Sequence, residues 1–262
     1  MASKSRNQLI LFFVLTFILA WGSWIPAFLM PNSPRLLSFI GLFAPAISAL
    51  VVAGIYNGKE GILGVLVRYK YINFSTKWYL VAVFLLPITY ILSIFINLFL
   101  FHYTNNSVFV GSPIYFIIAA FIWLMVINSG EEVGWRGFAL PILLKDLKNS
   151  IWASLLLGLI WGFWHLPMYL IPGQSSFPFS LFLLLTIGLS FIYTALFIKT
   201  KGSLLPAVLL HAGTDIGPRI FRTANFTLSV WFTIDIIIIV VGIGLILSEP
   251  LKSNFSWEEN YK

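Results

Sequence analysis

Long apolar stretches alternate with short polar segments along the whole chain of 262 residues. A run of about 20 apolar residues crosses the hydrocarbon core of a bilayer as an α-helix. The pattern predicts transmembrane helices at residues 8–30, 36–56, 78–101, 113–140, 150–171, 178–198, 203–218 and 228–248. The expected fold class is therefore an all-α polytopic membrane protein with about eight transmembrane helices.

Composition supports a single integral membrane domain over residues 1–262. Hydrophobic residues make up 59% of the chain and charged residues only 10%, whereas a soluble domain needs a more polar surface. The longest polar stretch, 57–77, is too short for a soluble domain. The overlapping segment 58–79 mixes basic and apolar residues, which predicts a helix lying at the cytoplasmic interface. Cysteine is absent, which excludes disulfides, thiolate metal sites and a cysteine nucleophile.

The basic residues predict the orientation of the chain. The net charge is +7, but the Lys and Arg residues are dispersed among short loops, which favours contact with lipid headgroups and not with nucleic acid. With a cytoplasmic N-terminus, 13 of the 16 basic residues fall on the cytoplasmic side, and only Arg35, Arg219 and Arg222 fall opposite. By the positive-inside rule both termini are cytoplasmic.

Three charged residues interrupt the fourth predicted span, in the sequence SGEEVGWRG. Glu132 and Arg136 are spaced i,i+4, so they share a helix face and can neutralise each other. Glu131 points about 100° away and has no local partner, so it needs a metal, a histidine or water from another helix. Ionisable groups within a membrane usually mark a functional site, although a purely structural ion-pair network is the alternative.

Two further polar clusters lie on the fifth and seventh predicted spans. Trp161 and His165 share a helix face, and Pro167 predicts a bend just after the histidine. His211 and Asp215 are also spaced i,i+4, so the carboxylate can hold the imidazole ring or join it on a metal. Satisfied polar pairs without a function remain the structural alternative for both clusters.

Glu131, His165, His211 and Asp215 together suggest two kinds of chemistry. Their nitrogen and oxygen atoms suit one divalent metal ion, zinc most of all. They equally suit a base that activates water and donors that stabilise an oxyanion. Two GxxxG pairs, Gly130/Gly134 and Gly158/Gly162, predict close approach of the fourth and fifth spans at this polar cavity.

The three motifs, in this order on separate spans, resemble the CPBP (CAAX protease and bacteriocin-processing, Abi) family of intramembrane proteases. The resemblance covers a core of about residues 113–218. It implies that Glu131 activates the attacking water, that His165 shares this task, and that Glu132, Arg136 and Trp161 support the site. His211 and Asp215 match the pair assigned to oxyanion stabilisation or metal binding. CAAX endopeptidases typically have Asn where this chain has Asp215, and an anionic side chain favours a cation there.

The expected function is therefore that of a membrane-embedded endopeptidase acting on a peptide or membrane-protein substrate in a prokaryotic plasma membrane. Its donor set also suits a metal cofactor, zinc most of all. Two alternatives stay open at this point. One is an ion-coupled transporter, although the paired broken helices of transporters are not evident. The other is a non-catalytic scaffold in bacteriocin immunity or regulation. Asp235, alone in the last span, is expected to pair with Arg219 or Arg222, and His102 is assigned no role.

Overall fold

The computed structural model describes residues 2–30, 35–102, 109, 111–172, 177–221 and 226–248. Within these ranges the chain is helical, apart from turns and one isolated antiparallel bridge between Phe109 and Phe221. The described α-helices are α1 (Ala2–Leu29), α2 (Arg35–Leu66), α3 (Lys77–Phe101), α4 (Ile114–Gly134), α5 (Leu140–Leu147), α6 (Ser150–Trp164), α7 (Pro167–Leu170), α8 (Phe179–Lys199), α9 (Leu205–Ile220) and α10 (Leu228–Leu247). A 3₁₀ turn, Val67–Lys70, follows α2, and a π-helical turn, Trp135–Ala139, joins α4 to α5.

The predicted polytopic all-α membrane fold is confirmed. Six helical segments in the described chain are long and apolar enough to cross a membrane: Lys4–Leu29, Leu37–Lys70, Lys77–Phe101, Ile114–Leu147, Phe179–Lys199 and Leu228–Leu247. The fifth and seventh predicted spans correspond to α6 and α9, which have only 15 and 16 residues. The total of eight membrane crossings therefore stays a prediction.

Apolar side chains cover the outside of the helix bundle, while the charged groups of the fourth predicted span's SGEEVGWRG motif lie inside it. Ile18 and Val240, for example, are 62% and 64% exposed, whereas Glu132 and Arg136 are completely buried. A soluble protein has the reverse distribution, because water solvates charge and not hydrocarbon. The arrangement is that of a bundle whose solvent is lipid.

Several predicted helix ends differ from the structure. The first helix begins at Ala2 instead of residue 8, and the second ends at Leu66 instead of residue 56. The fourth span, expected to end at residue 140, continues through the π-helical turn and α5 to Leu147. The fifth span, expected to run to residue 171, ends at Trp164. Pro167 then begins the separate short helix α7, because its ring and missing N–H suit the first helical turn but interrupt a continuing helix. The predicted bend after His165 is therefore present.

The interfacial segment begins with a kink in α2. Gly58 has a φ of 59°, a left-handed conformation that glycine adopts without steric cost. Helical residues 59–66 follow, then the 3₁₀ turn, and α3 begins at Lys77. The predicted helix over 58–79 is therefore broken, because the chain leaves helical geometry between Lys70 and Lys77.

The small-residue pairs bring together different helices from those expected. Gly130 and Gly134 of α4 pack against Phe43 and Pro45 of α2, where a Cβ atom would collide with side chain and backbone. The second pair lies on α6 and packs against α8, close to Thr186. The prediction that these pairs join the fourth and fifth spans is wrong. They instead pack α4 against α2 and α6 against α8.

Candidate active site

Glu131 of α4 lies inside the bundle and not against lipid. The residue is only 4% exposed. Oε2 of Glu131 accepts a hydrogen bond of 2.7 Å from Nε1 of Trp161 on α6. The indole therefore holds one carboxylate oxygen and leaves Oε1 for another group.

Glu132 joins α4 to α9. Its Oε1 atom accepts a hydrogen bond of 2.9 Å from Nη1 of Arg136, which is the i,i+4 pair expected from the spacing. The same oxygen lies 2.8 Å from Nδ1 of His211, whose N–H donates to it. One fully buried carboxylate oxygen thus neutralises the arginine and fixes the orientation of the histidine ring.

Arg136 is enclosed by aromatic rings. It lies on the π-helical turn, a geometry that is frequent at functional sites. Its guanidinium carbon is 3.7 Å from the ring centroid of Tyr193 and 4.6 Å from that of Trp161. Among the described residues, Nε and Nη2 of Arg136 have no hydrogen-bond acceptor, so the two ring faces supply most of the remaining solvation of this buried charge.

The carboxylate of Asp215 has a partner that the sequence did not suggest. Nε2 of His211 lies 3.9 Å from Oδ2 of Asp215, on the same face as predicted but beyond hydrogen-bond distance. Oδ2 instead accepts a hydrogen bond of 2.9 Å from Nδ2 of Asn128 on α4. The main-chain oxygen of Asp215 accepts another from Nη1 of Arg219. Both the side chain and the main-chain oxygen of Asp215 therefore accept a hydrogen bond.

His165 lies in the turn that ends α6. Its Nδ1 atom is 3.0 Å from the carbonyl oxygen of Trp161. Because a carbonyl can only accept, Nδ1 carries the hydrogen, and in the neutral ring Nε2 keeps its lone pair. The ring packs edge-on against Trp164 and Phe182, with centroid distances of 4.6 and 5.0 Å. Backbone and aromatic contacts thus set both its tautomer and its direction.

The indole of Trp161 stands between the two histidines. Its ring centroid lies 6.0 Å from that of His165 and 5.6 Å from that of His211. Trp161 thus contacts Glu131, His165 and His211, and Asp215 lies 3.9 Å from Nε2 of His211. The four residues singled out as candidate catalytic groups therefore converge on one region.

Sequence reasoning missed two members of this cluster. Asn128 precedes Glu131 by three residues on the same face of α4, so its position in an apolar run was the signal available. Tyr193 lies in α8, outside all three motifs, and its role depends on a contact with Arg136 from 57 residues earlier in the chain. No local pattern could have indicated that contact.

The side chains do not form a ready metal site. Among the described residues, no three His, Asp or Glu side chains are grouped as ligands of one ion. His211 directs Nδ1 to Glu132, and Oε2 of Glu131 is taken by Trp161. The expected ligands Glu131, His165, His211 and Asp215 would have to turn towards one another to share zinc.

Asp235 lies outside this cluster. It is 1% exposed, and neither carboxyl oxygen has a hydrogen-bond partner within the described part of the chain. Arg219, one of its two expected partners, instead donates to the backbone of Asp215. The prediction of a pair with Arg219 is wrong, and the other expected partner, Arg222, lies outside the described residues.

Comparisons with known proteins agree with the motif order. The family model described as type II CAAX prenyl endopeptidase Rce1-like matches residues 111–217. That range contains every candidate catalytic residue, from Glu131 to Asp215. The chain is also 29% identical over 232 residues to CAAX prenyl protease 2 of Methanococcus maripaludis, a match that covers 80% of this chain and 84% of that protein.

Proposed function

Because the chain belongs to the CPBP family of intramembrane proteases, we propose that it is an endopeptidase that hydrolyses a peptide bond with water activated by Glu131. The observation that carries this proposal is the buried carboxylate of Glu131, held through one oxygen by Trp161. Burying a carboxylate inside a membrane bundle costs free energy, and such residues therefore usually mark a functional site. Here one oxygen stays available for chemistry.

The first step is addition of water to the scissile carbonyl. Oε1 of Glu131 takes a proton from the water as its oxygen forms a bond to the carbonyl carbon. The carbonyl π-electrons move to oxygen and produce a tetrahedral oxyanion. Because its Nδ1 donates to the backbone, His165 presents a lone pair at Nε2 that positions the same water.

The second step is collapse of this intermediate. The C–N bond breaks, and the proton held by Glu131 passes to the leaving nitrogen, which restores the carboxylate. His211 in its protonated form donates Nδ1–H to Glu132 and has Nε2–H left to stabilise the oxyanion. Asp215, held by Asn128, lies beside that nitrogen and favours its protonated form.

The substrate must enter a site that is closed in this structure. Glu131 and His211 are only 4% and 5% exposed, and Arg136 is fully buried. The helices around the site must move apart to admit a peptide, just as mobile loops or domains open to admit substrate in many other enzymes. The names of the matched family and of the archaeal relative point to a prenylated CAAX peptide as the first substrate to test.

We also propose that the protein resides in a prokaryotic plasma membrane with both termini in the cytoplasm. The support is the distribution of basic residues between the two sides. The absence of cysteine makes a direct test possible. Single cysteines introduced at Asn57 and Gly111 are expected to react with an impermeant thiol reagent from opposite sides of oriented vesicles.

The test of the enzymatic proposal uses purified protein in lipid nanodiscs and a farnesylated CAAX peptide. Release of the C-terminal fragment is followed by mass spectrometry. Glu131→Gln and His165→Ala are expected to abolish cleavage while eluting as folded protein, and Lys77→Gln serves as a surface control. Full activity in Glu131→Gln would refute the assignment. Cleavage with and without chelator, beside metal analysis, tests the zinc expected from the donor set.

A further inference from the structure

A cavity of about 740 Å³ lies apart from the catalytic cluster. It is bounded by the beginning of α1, the kinked end of α2, the 3₁₀ turn and the start of α5. Residues that define it include Gln8, Asn57, Arg68, Phe138, Ile142 and Lys145. We propose that this cavity binds the headgroup of an anionic phospholipid.

The charged lining favours an anion. Arg68 and Lys145 contribute two positive charges against the single acidic lining residue, Glu60. A third cation, Lys4, reaches the rim and donates a hydrogen bond of 3.1 Å to Oδ1 of Asn57. Arg68 is only 7% exposed and lies over the ring of Phe197 at 5.4 Å, so its position in the wall is fixed.

The rest of the lining suits the glycerol and upper acyl chains of a lipid. Most of it is apolar, with Val65, Pro141 and Ile142 beside the charged groups. The kink at Gly58 folds the following helical residues back against the preceding part of α2, where Gly61 lies against the carbonyl oxygen of Ala53. Residues on both sides of the kink line the cavity. Basic pockets between transmembrane helices at the cytoplasmic surface are where anionic headgroups bind.

The cavity is separated from Glu131 by one buried layer. Gly137 and Phe138 line the cavity, whereas the neighbouring Trp135 and Arg136 are fully buried and Arg136 faces the catalytic cluster. All four belong to the same π-helical turn. A lipid in the cavity would therefore touch the segment that carries the partner of Glu132 without entering the active site.

The binding test compares nanodiscs of phosphatidylcholine alone with mixed nanodiscs of phosphatidylcholine and phosphatidylglycerol. Native mass spectrometry after extraction from the mixed nanodiscs is expected to show retained phosphatidylglycerol. Lys145→Gln and Arg68→Gln should each weaken retention about five-fold, because each removes one cation near the phosphate. Arg68→Lys keeps the charge and should retain the lipid. It distinguishes loss of charge from a folding defect.

Lys77→Gln is the matched control. Lys77 is an exposed lysine outside the cavity, so its replacement changes net charge equally and should leave retention unchanged. An equal effect of Lys77→Gln and Lys145→Gln, or equal retention of the two lipids, would overturn the proposal. Inorganic phosphate added as a competitor distinguishes a lipid headgroup from free phosphate as the bound anion. If phosphate alone displaces all bound lipid and the two lipids bind equally, the cavity is a simple phosphate site. That result would also overturn the proposal. If the variants instead raise KM for the peptide with no lipid preference, the cavity belongs to the substrate.

Discussion

The indole of Trp161 and the carboxylate of Glu131 are joined by a hydrogen bond of 2.7 Å that links α6 to α4. The same indole lies over the guanidinium of Arg136 and between the rings of His165 and His211. A residue that the sequence marks only as the helix-face partner of His165 is thus the common contact of all three motifs.

Trp161→Phe tests this contact. Phenylalanine retains a ring beside Arg136 but removes the N–H donor, so Glu131 loses a hydrogen bond to its charged form. Hydrogen bonds to charged groups contribute about 1.5–3 kcal/mol, which predicts a kcat lower by about ten- to a hundred-fold. Steady-state kinetics in nanodiscs measure kcat and KM separately. A change confined to KM would mean that Trp161 binds substrate and does not position Glu131.

Tyr193 is expected to act through its ring and not through its hydroxyl. The ring lies 3.7 Å from the guanidinium of Arg136, while the hydroxyl is buried with no partner among the residues described. Tyr193→Phe should therefore keep activity and thermal stability. Tyr193→Leu should lower stability by about 2 kcal/mol and reduce activity, because a desolvated cation loses one aromatic face.

Thermal unfolding in detergent measures the stability of the two Tyr193 variants, and peptide cleavage measures their activity. Equal losses for the phenylalanine and leucine variants would contradict a role of the ring and point to the hydroxyl.

Asn128→Leu should disturb the third motif from a distance. It removes the donor to Oδ2 of Asp215, while the side chain of Asp215 is 38% exposed and can recruit water in its place. The expected loss in kcat is therefore modest, about three- to ten-fold. Asn128→Asp places a second carboxylate at this position and should cost more. Activity that stays unchanged in both variants would remove Asn128 from the site.

Asp235→Asn should make the protein more stable. Both oxygens of Asp235 are buried without a hydrogen-bond partner in the described chain, and an unsatisfied buried group costs about 1–3 kcal/mol. The amide is also without a partner there, but it avoids the larger cost of burying an unpaired charge, so the melting temperature should rise while cleavage is retained. Loss of cleavage at unchanged stability would instead show that Asp235 serves the reaction.

The sequence predicted the helical class and the residues that converge, because both depend on local patterns. Apolar runs identify helices, and i,i+4 spacing placed Arg136 beside Glu132 correctly. The partners across helices were harder to predict. Spacing on one helix suggested that His211 pairs with Asp215, but Nε2 of His211 lies 3.9 Å from that carboxylate. Its hydrogen bond is made by Nδ1, 2.8 Å from Oε1 of Glu132 on another helix. Contacts between helices depend on packing angles that no short sequence window contains.

The ends of helices were predicted less well for a related reason. Pro167 correctly marked the end of the fifth span, because its ring and missing N–H interrupt a continuing helix. Proline alone is not a sufficient signal, since Pro26, Pro45 and Pro87 lie inside helices. The continuation of the fourth span to Leu147 has no such marker, and Gly137 in its π-helical turn suggested an end that the helix does not have. The glycine pairs also indicated close packing correctly but not which helix would be the partner.

The π-helical turn at Trp135–Ala139 has a consequence for how the protein can vary. A π turn accommodates one residue more than an α turn, so it shifts the angular phase of α5 relative to α4 by about 100°. Deleting one residue there would restore a regular helix and rotate every side chain of α5 around the axis, while leaving the carboxylates upstream in place. The half that carries Glu131 and Glu132 and the half formed by α5 therefore follow independent periodicities, and substitutions can accumulate in one without misaligning the other.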